Sequence, residues 1–173
     1  MGELRVIPVR GLPEIEEDAD LAALIAETRH GFVCASAGVD ASNAPAPDTV
    51  VLLPEDPDAS AARIRQRLRE LTGREVAVIV SDSFGRPWRL GTTDVAIGVA
   101  GLAPLLDLHG RRDPTGYELH ATVIAVADEL AGAAELVRGK LDRIPIAIVR
   151  GFPAHGDGNA RELLMPAERD LFR

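Results

Sequence analysis

Residues 75–101, EVAVIVSDSFGRPWRLGTTDVAIGVAG, decide how the rest of the chain is read. The stretch begins with Val76-Ala77-Val78-Ile79-Val80, an apolar, β-branched run short enough for a buried strand. The run is expected to stop at Ser81-Asp82-Ser83, placing one carboxylate and two hydroxyls at the strand's C-terminal end, where open α/β sheets commonly bind ligands. A turn with Gly85 and Pro87 is expected next, carrying Arg86, Trp88 and Arg89, and then Gly91-Thr92-Thr93-Asp94. The chain returns to a small apolar run, Val95 to Ala100. An acid, hydroxyls, two arginines and an aromatic between two buried segments read as a site.

Working outward, Leu4 to Val9 predicts a first strand, and the acids before Leu21 to Glu27 suit the start of a short helix. Phe32 to Ala37 is small and apolar and leads into Gly38-Val39-Asp40-Ala41-Ser42-Asn43. Val50 to Leu53 is a strand candidate. Asp58-Ala59-Ser60 is expected to cap a helix reaching Leu71, with Ile64, Leu68 and Leu71 on one face and Gly73 as its stop. Arg63, Arg65, Arg67 and Arg69 on the other face read as a solvated surface rather than a phosphate patch. After the centre come a polar loop, Asp107 to Tyr117, a strand from Glu118 to Ala125, and a helix from Asp128 to Arg138 stopped by Gly139. Ile144 to Val149 reads as a strand, followed by a polar C-terminal helix broken near Pro166.

The 173 residues suffice for one domain with a real core, and 46% apolar with 27% charged residues is an ordinary globular composition. A net charge of −8 argues against nucleic acid as a general partner, because phosphate backbones need a basic face. One cysteine, Cys34, excludes an internal disulfide and fits a reducing compartment. No apolar run is long enough to span a membrane, and the N-terminus lacks a signal peptide's apolar core, so a cytoplasmic location is expected.

Two clusters set an acid beside small polar groups: Asp40 with Ser42 and Asn43, and Asp82 with Ser81 and Ser83. Carboxylates and hydroxyls of this kind hold hard cations such as Mg²⁺ when phosphate oxygens complete the shell. Taken alone, each cluster reads better as a loop former. Arg86 and Arg89 have the chemistry to clamp a carboxylate or phosphate, although surface ion pairing is the plainer reading. Trp88 either stacks on a flat ligand or packs its loop. The four histidines show no metal-ligand spacing, and no dinucleotide fingerprint or serine-hydrolase elbow is present.

GLPEI (11–15), AGVDASN (37–43), the central stretch, VADELAGAAELVRGKL (126–141) and IPIAIVRG (144–151) occur in that order. Together they resemble the coenzyme F420-0:L-glutamate ligase (F420:γ-glutamyl ligase) family, in particular the ligase domain of the two-domain actinobacterial enzyme. The resemblance implies an α/β (α+β) fold with a mixed β-sheet and flanking helices over residues 1–173, and a homodimer. It implies a GTP-dependent ligase that adds L-glutamate to coenzyme F420-0 through an acyl phosphate, with Mg²⁺ or Mn²⁺, and K⁺ as a further candidate ion. Asp40, Asp82 and Ser83 match metal ligands. Leu12, Pro13, Glu14, Ile15 and Asn43 match GTP contacts, and Gly139 and Lys140 belong to a later nucleotide-binding region. Asp40 and Asp82 are thus expected to be catalytic, joined on residue chemistry by Arg86, with Arg89 and Asp94 as further substrate contacts. Family members carry a longer segment before Arg29-His30-Gly31-Phe32, with a Ser/Lys turn for GTP. This chain is therefore expected to be shortened at about residues 27–30 and to lack that lysine. The alternative function is that of a shortened homologue that binds metal or nucleotide, or dimerises with a partner, without ligating.

Overall fold

The computed structural model describes residues 5–9, 28, 30–32, 40, 49–86 and 89–169. Its centre is a long antiparallel ladder of β2 (Val78–Arg86) and β3 (Arg89–Ala100). The strand expected to end at Val80 runs on through Ser81-Asp82-Ser83, and Gly91 to Asp94 belong to its partner. Backbone pairing needs no apolar side chain. The apolar pattern fades at Val80 because the ladder there is lined by polar groups, not because the strand ends. Opposed pairs include Asp82 with Val95, Ser83 with Asp94 and Phe84 with Thr93, with irregularities at Val80/Ser81 and Gly85/Arg86. Residues 87–88, including Trp88, lie outside the described set.

Two helices pack on this ladder. α1 (Pro57–Thr72) starts at Asp56, whose carboxylate accepts the Ala59 N–H at 2.9 Å. It ends at Gly73, whose φ of 67° is the left-handed stop that glycine adopts without strain. The cap is therefore Asp56 and not Asp58, and a cap of this kind contributes about 1 kcal/mol. Ile64, Leu68 and Leu71 share a face but remain 47%, 38% and 64% exposed; the buried contacts of α1 are Pro57 and Ala61. The opposite face is solvated as expected, with Arg65 and Arg69 paired to Glu75 and Arg67 to Glu70. α2 (Val126–Arg138) stops at Gly139 and lays Val126, Ala127 and Ala131 against the ladder. Its small side chains let the helix approach Ala96 and Val99, and Leu102 and Ala160 complete this core.

The free edge of β3 is closed by side chains. The N–H groups of Asp94, Ala96 and Val99 donate to Glu135, Asp128 and Asp58 at 2.9, 2.8 and 2.8 Å. Asp58, expected as a cap, also accepts the Ala160 N–H and so ties the C-terminal segment to both α1 and β3. These carboxylates satisfy donors that would otherwise template another strand. Burial pushes the Asp128 carboxyl above the usual carboxylate range, against the Ala96 N–H bond that favours its charged form.

The remaining elements are short. β1 (Arg5–Val9) pairs antiparallel with β6 (Ile146–Arg150), close to the expected strands, and both contact α2. β4 (Leu106–Asp107) pairs with β5 (Val123–Ile124), so the strand expected from Glu118 to Ala125 shrinks to two residues. Glu118 only bridges Arg112, because the chain between them forms a self-bonded loop around Asp113. Val50 to Leu53 contributes one bridge, Val51 to Asp40, in place of a strand. The expected C-terminal helix is two 3-10 turns, Ala160–Leu163 and Ala167–Arg169, on either side of Pro166. The expected helix at 21–27 and Cys34 lie outside the described residues. These helices and sheets form the α/β class expected from the sequence.

Gly98 marks the closest approach of β3 to α1. A Cβ there would lie far inside contact distance of the Pro57 carbonyl, which is backbone at a capped helix start. Gly98→Ala is expected to destabilise the protein by about 2–3 kcal/mol, as overpacking does. Urea unfolding checks this, and a cost below about 0.5 kcal/mol would show that the α1 start yields freely.

Candidate active site

Three residues expected from separate motifs come together beside the β2–β3 ladder. The backbone of Asp40 is held by a reciprocal pair with Val51, N–H to carbonyl at 3.0 and 2.7 Å. Lys140 reaches its carboxylate with Nζ 3.4 Å from Oδ2, a half-exposed pair spanning a hundred positions of sequence. Gly139 makes that reach possible: its φ of 64° turns the chain at the end of α2, and a Cβ would come 2.7 Å from Asp142 Oδ2.

Asp82 is the third member. Burial pushes its carboxyl above the usual carboxylate range. The Ser83 N–H, 2.9 Å from Asp82 Oδ1, works the other way, and the charges of Asp40 and Asp94 raise it further while Lys140 lowers it. The half-exposed Asp40 carboxylate repels the more buried Asp82, and Lys140 only partly compensates. Oxygen donors with excess negative charge are the chemistry that a hard divalent cation takes. Asp40 and Asp82 therefore fit such an ion, with Lys140 as the cation beside them otherwise. Among the described residues no cluster of three or more His, Cys, Asp or Glu is arranged to hold a metal, so the two carboxylates would need outside oxygens to complete a shell.

Ser83 is placed differently from Asp82. Alternate residues of a strand face opposite sides. Ser81 and Ser83 donate to the Asp94 carboxylate at 2.8 and 2.7 Å, on the face covered by α2. The Asp82 side chain projects from the other face. Asp94, expected as a substrate contact, is only 3% exposed and forms an ion pair with Arg138. Sequence reasoning missed Arg138; the available signal was an acid next to an apolar strand, which needs a buried cation.

Arg86 lies at the far end of the ladder, exposed, and donates to the Leu90 carbonyl at 3.3 Å. Four residues at about 3.3 Å each separate it from Asp82, so the fold does not gather it into the acid pair. Arg89 is exposed on the facing strand. Leu12, Pro13, Glu14, Ile15 and Asn43 lie outside the described residues.

The Asp82 face continues into a cleft of about 680 Å³. Phe84, two residues from Asp82, packs its ring 5.9 Å from Phe32, which lines the cleft with His30, Pro57, Ile97 and Arg161. His30 Nε2 lies 3.0 Å from the Glu55 carbonyl and so carries the hydrogen.

Comparison with known proteins gives one consistent answer. The sequence profile described as F420-0:Gamma-glutamyl ligase matches residues 12–151. The chain is 52% identical over 154 residues to the Coenzyme F420:L-glutamate ligase of Methanothermobacter thermautotrophicus, covering 87% of this chain and 61% of that protein. It is 49% identical over 156 residues to the protein of that name in Methanopyrus kandleri, covering 87% and 62%. To that of Methanocaldococcus jannaschii it is 48% identical over 152 residues, covering 87% and 60%. The chain thus spans about three-fifths of the length of these curated relatives.

Proposed function

Because this chain belongs to the F420-0:gamma-glutamyl ligase family, we propose that it takes part in coenzyme F420 biosynthesis as an amide-forming ligase joining L-glutamate to F420-0. The observation that supports this reading is the meeting of Asp40, Asp82 and Lys140, drawn from three motifs, at one partly buried place. GTP is the co-substrate in this reading. Its γ-phosphoryl group passes to the terminal carboxylate of F420-0, releasing GDP; the glutamate amine attacks that carbonyl, phosphate leaves, and the amine's proton goes to solvent. Such chemistry rests on positioning and charge neutralisation.

Asp40 and Asp82 would hold Mg²⁺ or Mn²⁺, whose chemistry when bound is to neutralise phosphate oxygens. Lys140, released from Asp40, turns its ammonium toward the same phosphates and supplies the positive charge that the resemblance assigns to a lysine before Arg29. Gly139 lets the backbone approach them closely. Leu12 to Ile15 and Asn43 contact the nucleotide. Ser83 keeps its hydroxyl on Asp94 and contributes to the metal site through the segment it anchors. Arg86, at the ladder's end, meets a distal carboxylate of the substrate. A homodimer, a role for K⁺ and a cytoplasmic location belong to the same proposal. Among the described residues no helix is long and apolar enough to cross a membrane.

Calorimetry of GTP binding with and without Mn²⁺, repeated across pH, tests this. The Asp82 carboxyl is raised, so protons compete with the cation at higher pH than at an ordinary carboxylate, and Mn²⁺ affinity is expected to fall as pH drops through that range. GTP binding that ignores Mn²⁺ would overturn the reading and leave a nucleotide-binding homologue, and no binding by folded protein would leave a dimerising partner.

A further inference from the structure

Asp82 is flanked by two residues that are fastened from behind. Ser81 and Ser83 donate to the two oxygens of one carboxylate, that of Asp94, at 2.8 and 2.7 Å. Arg138, from the last turn of α2, ion-pairs with that carboxylate and donates to the Ser81 hydroxyl at 3.1 Å. The Ser81 oxygen thus accepts from Arg138 while its own hydrogen goes to Asp94. The backbone of Asp94 is tied as well, its N–H donating to Glu135 one turn earlier on α2. Arg138 also donates to the Pro145 carbonyl at 3.3 Å.

We infer that Asp94 and Arg138 are positioning residues for Asp82, acting through Ser81 and Ser83. Fastening the two neighbours of a strand residue to one face leaves the middle side chain one direction, the opposite face, and the charge of Asp40 acts on it. The fastening is rigid because Asp94 is buried and its hydrogen bonds are charge-assisted. Apolar residues at 81, 83 and 94 would pack α2 against the ladder without isolating charge, so a buried ion pair here is better accounted for by orientation than by stability. The inference rests on Asp40 and Asp82 holding a divalent cation, as proposed above. It adds that their spacing is set from the far side of the ladder. Partners one shell out from a metal commonly change its affinity by about ten- to a hundredfold.

Mn²⁺ titration of the full chain, read by electron paramagnetic resonance of free ion, tests this with Ser81→Ala, Ser81→Thr, Asp94→Asn and Asp82→Asn. Ser81 is the informative position, since its hydroxyl faces away from the acid pair. Ser81→Ala and Asp94→Asn are expected to weaken Mn²⁺ binding about tenfold while melting remains cooperative. Ser81→Thr, which keeps the hydroxyl on a β-branched strand residue, is expected to restore it. Wild-type affinity in Ser81→Ala, or a loss shared by Ser81→Thr, would overturn the inference; should Asp94→Asn not fold, the Ser81 pair still decides. If Asp82→Asn loses the ion while Ser81→Ala binds normally, only the positioning role fails. If folded wild type takes up no Mn²⁺, the cation reading itself fails.

Discussion

On the proposed ligase reading, Asp82→Asn is expected to lower cation-dependent glutamate addition at least about a hundredfold in kcat/KM, while leaving the fold no less stable. Asparagine keeps the shape of the side chain and an oxygen for the Ser83 N–H, now 2.9 Å from Asp82 Oδ1. It removes the charge that burial and Asp40 make unfavourable. The linkage has a definite sign. A carboxyl raised in the folded state stabilises the fold fully below its ordinary value, and that contribution is lost as pH rises from there through the raised value. At neutral pH and without cation, ionised Asp82 therefore works against folding. Thermal melts with chelator should show the variant equal to or above wild type at neutral pH, with the advantage shrinking toward roughly pH 4. Activity lost together with a lowered melting temperature at neutral pH would mean disruption rather than a missing ligand, and would sink this reading.

The second large effect belongs to the buried side of the ladder. Arg138→Ala is expected to cost about 3–5 kcal/mol, because it leaves the Asp94 carboxylate 3% exposed with only the Ser81 and Ser83 hydroxyls as partners. A domain of this size has about 5–15 kcal/mol in total, so the variant should unfold at much lower denaturant. The double variant Arg138→Ala/Asp94→Ala separates the causes. Removing both charges is expected to cost less than removing Arg138 alone, since no isolated carboxylate remains. Urea unfolding of the two variants decides, and a single variant costing under about 1 kcal/mol would show that the serine hydroxyls suffice for Asp94.

The parts legible in the sequence were those whose signals are local. α1 and α2 carry their stops in Gly73 and Gly139, and their expected starts at Asp58 and Asp128 fell within two residues of Pro57 and Val126, the cap at Asp56 having been missed. β1 and β6 followed from short β-branched runs. The central ladder was half legible. Apolar patterning identifies a strand only where both partners bury apolar side chains, and between Ser81 and Arg86 the ladder exchanges that pattern for site chemistry. Glu118 to Ala125 erred in the opposite direction, since its β-favouring residues find a partner at two positions only.

For the candidate site, motif order pointed to the family and the resemblance singled out Asp40, Asp82, Gly139 and Lys140, because each motif is contiguous; residue types alone favoured loop formers. The tertiary structure alone decided that Lys140 reaches Asp40, that Ser83 faces Asp94 rather than the acid pair, and that Arg86 stands apart. It also supplied Arg138, Asp128 and Glu135 as partners for the back and edge of the ladder. These are facts about which face of a strand a side chain takes and what the next element presents to it. One residue of register inverts them all, and register is set by packing of α1 and α2 on the ladder, over separations that no local pattern records.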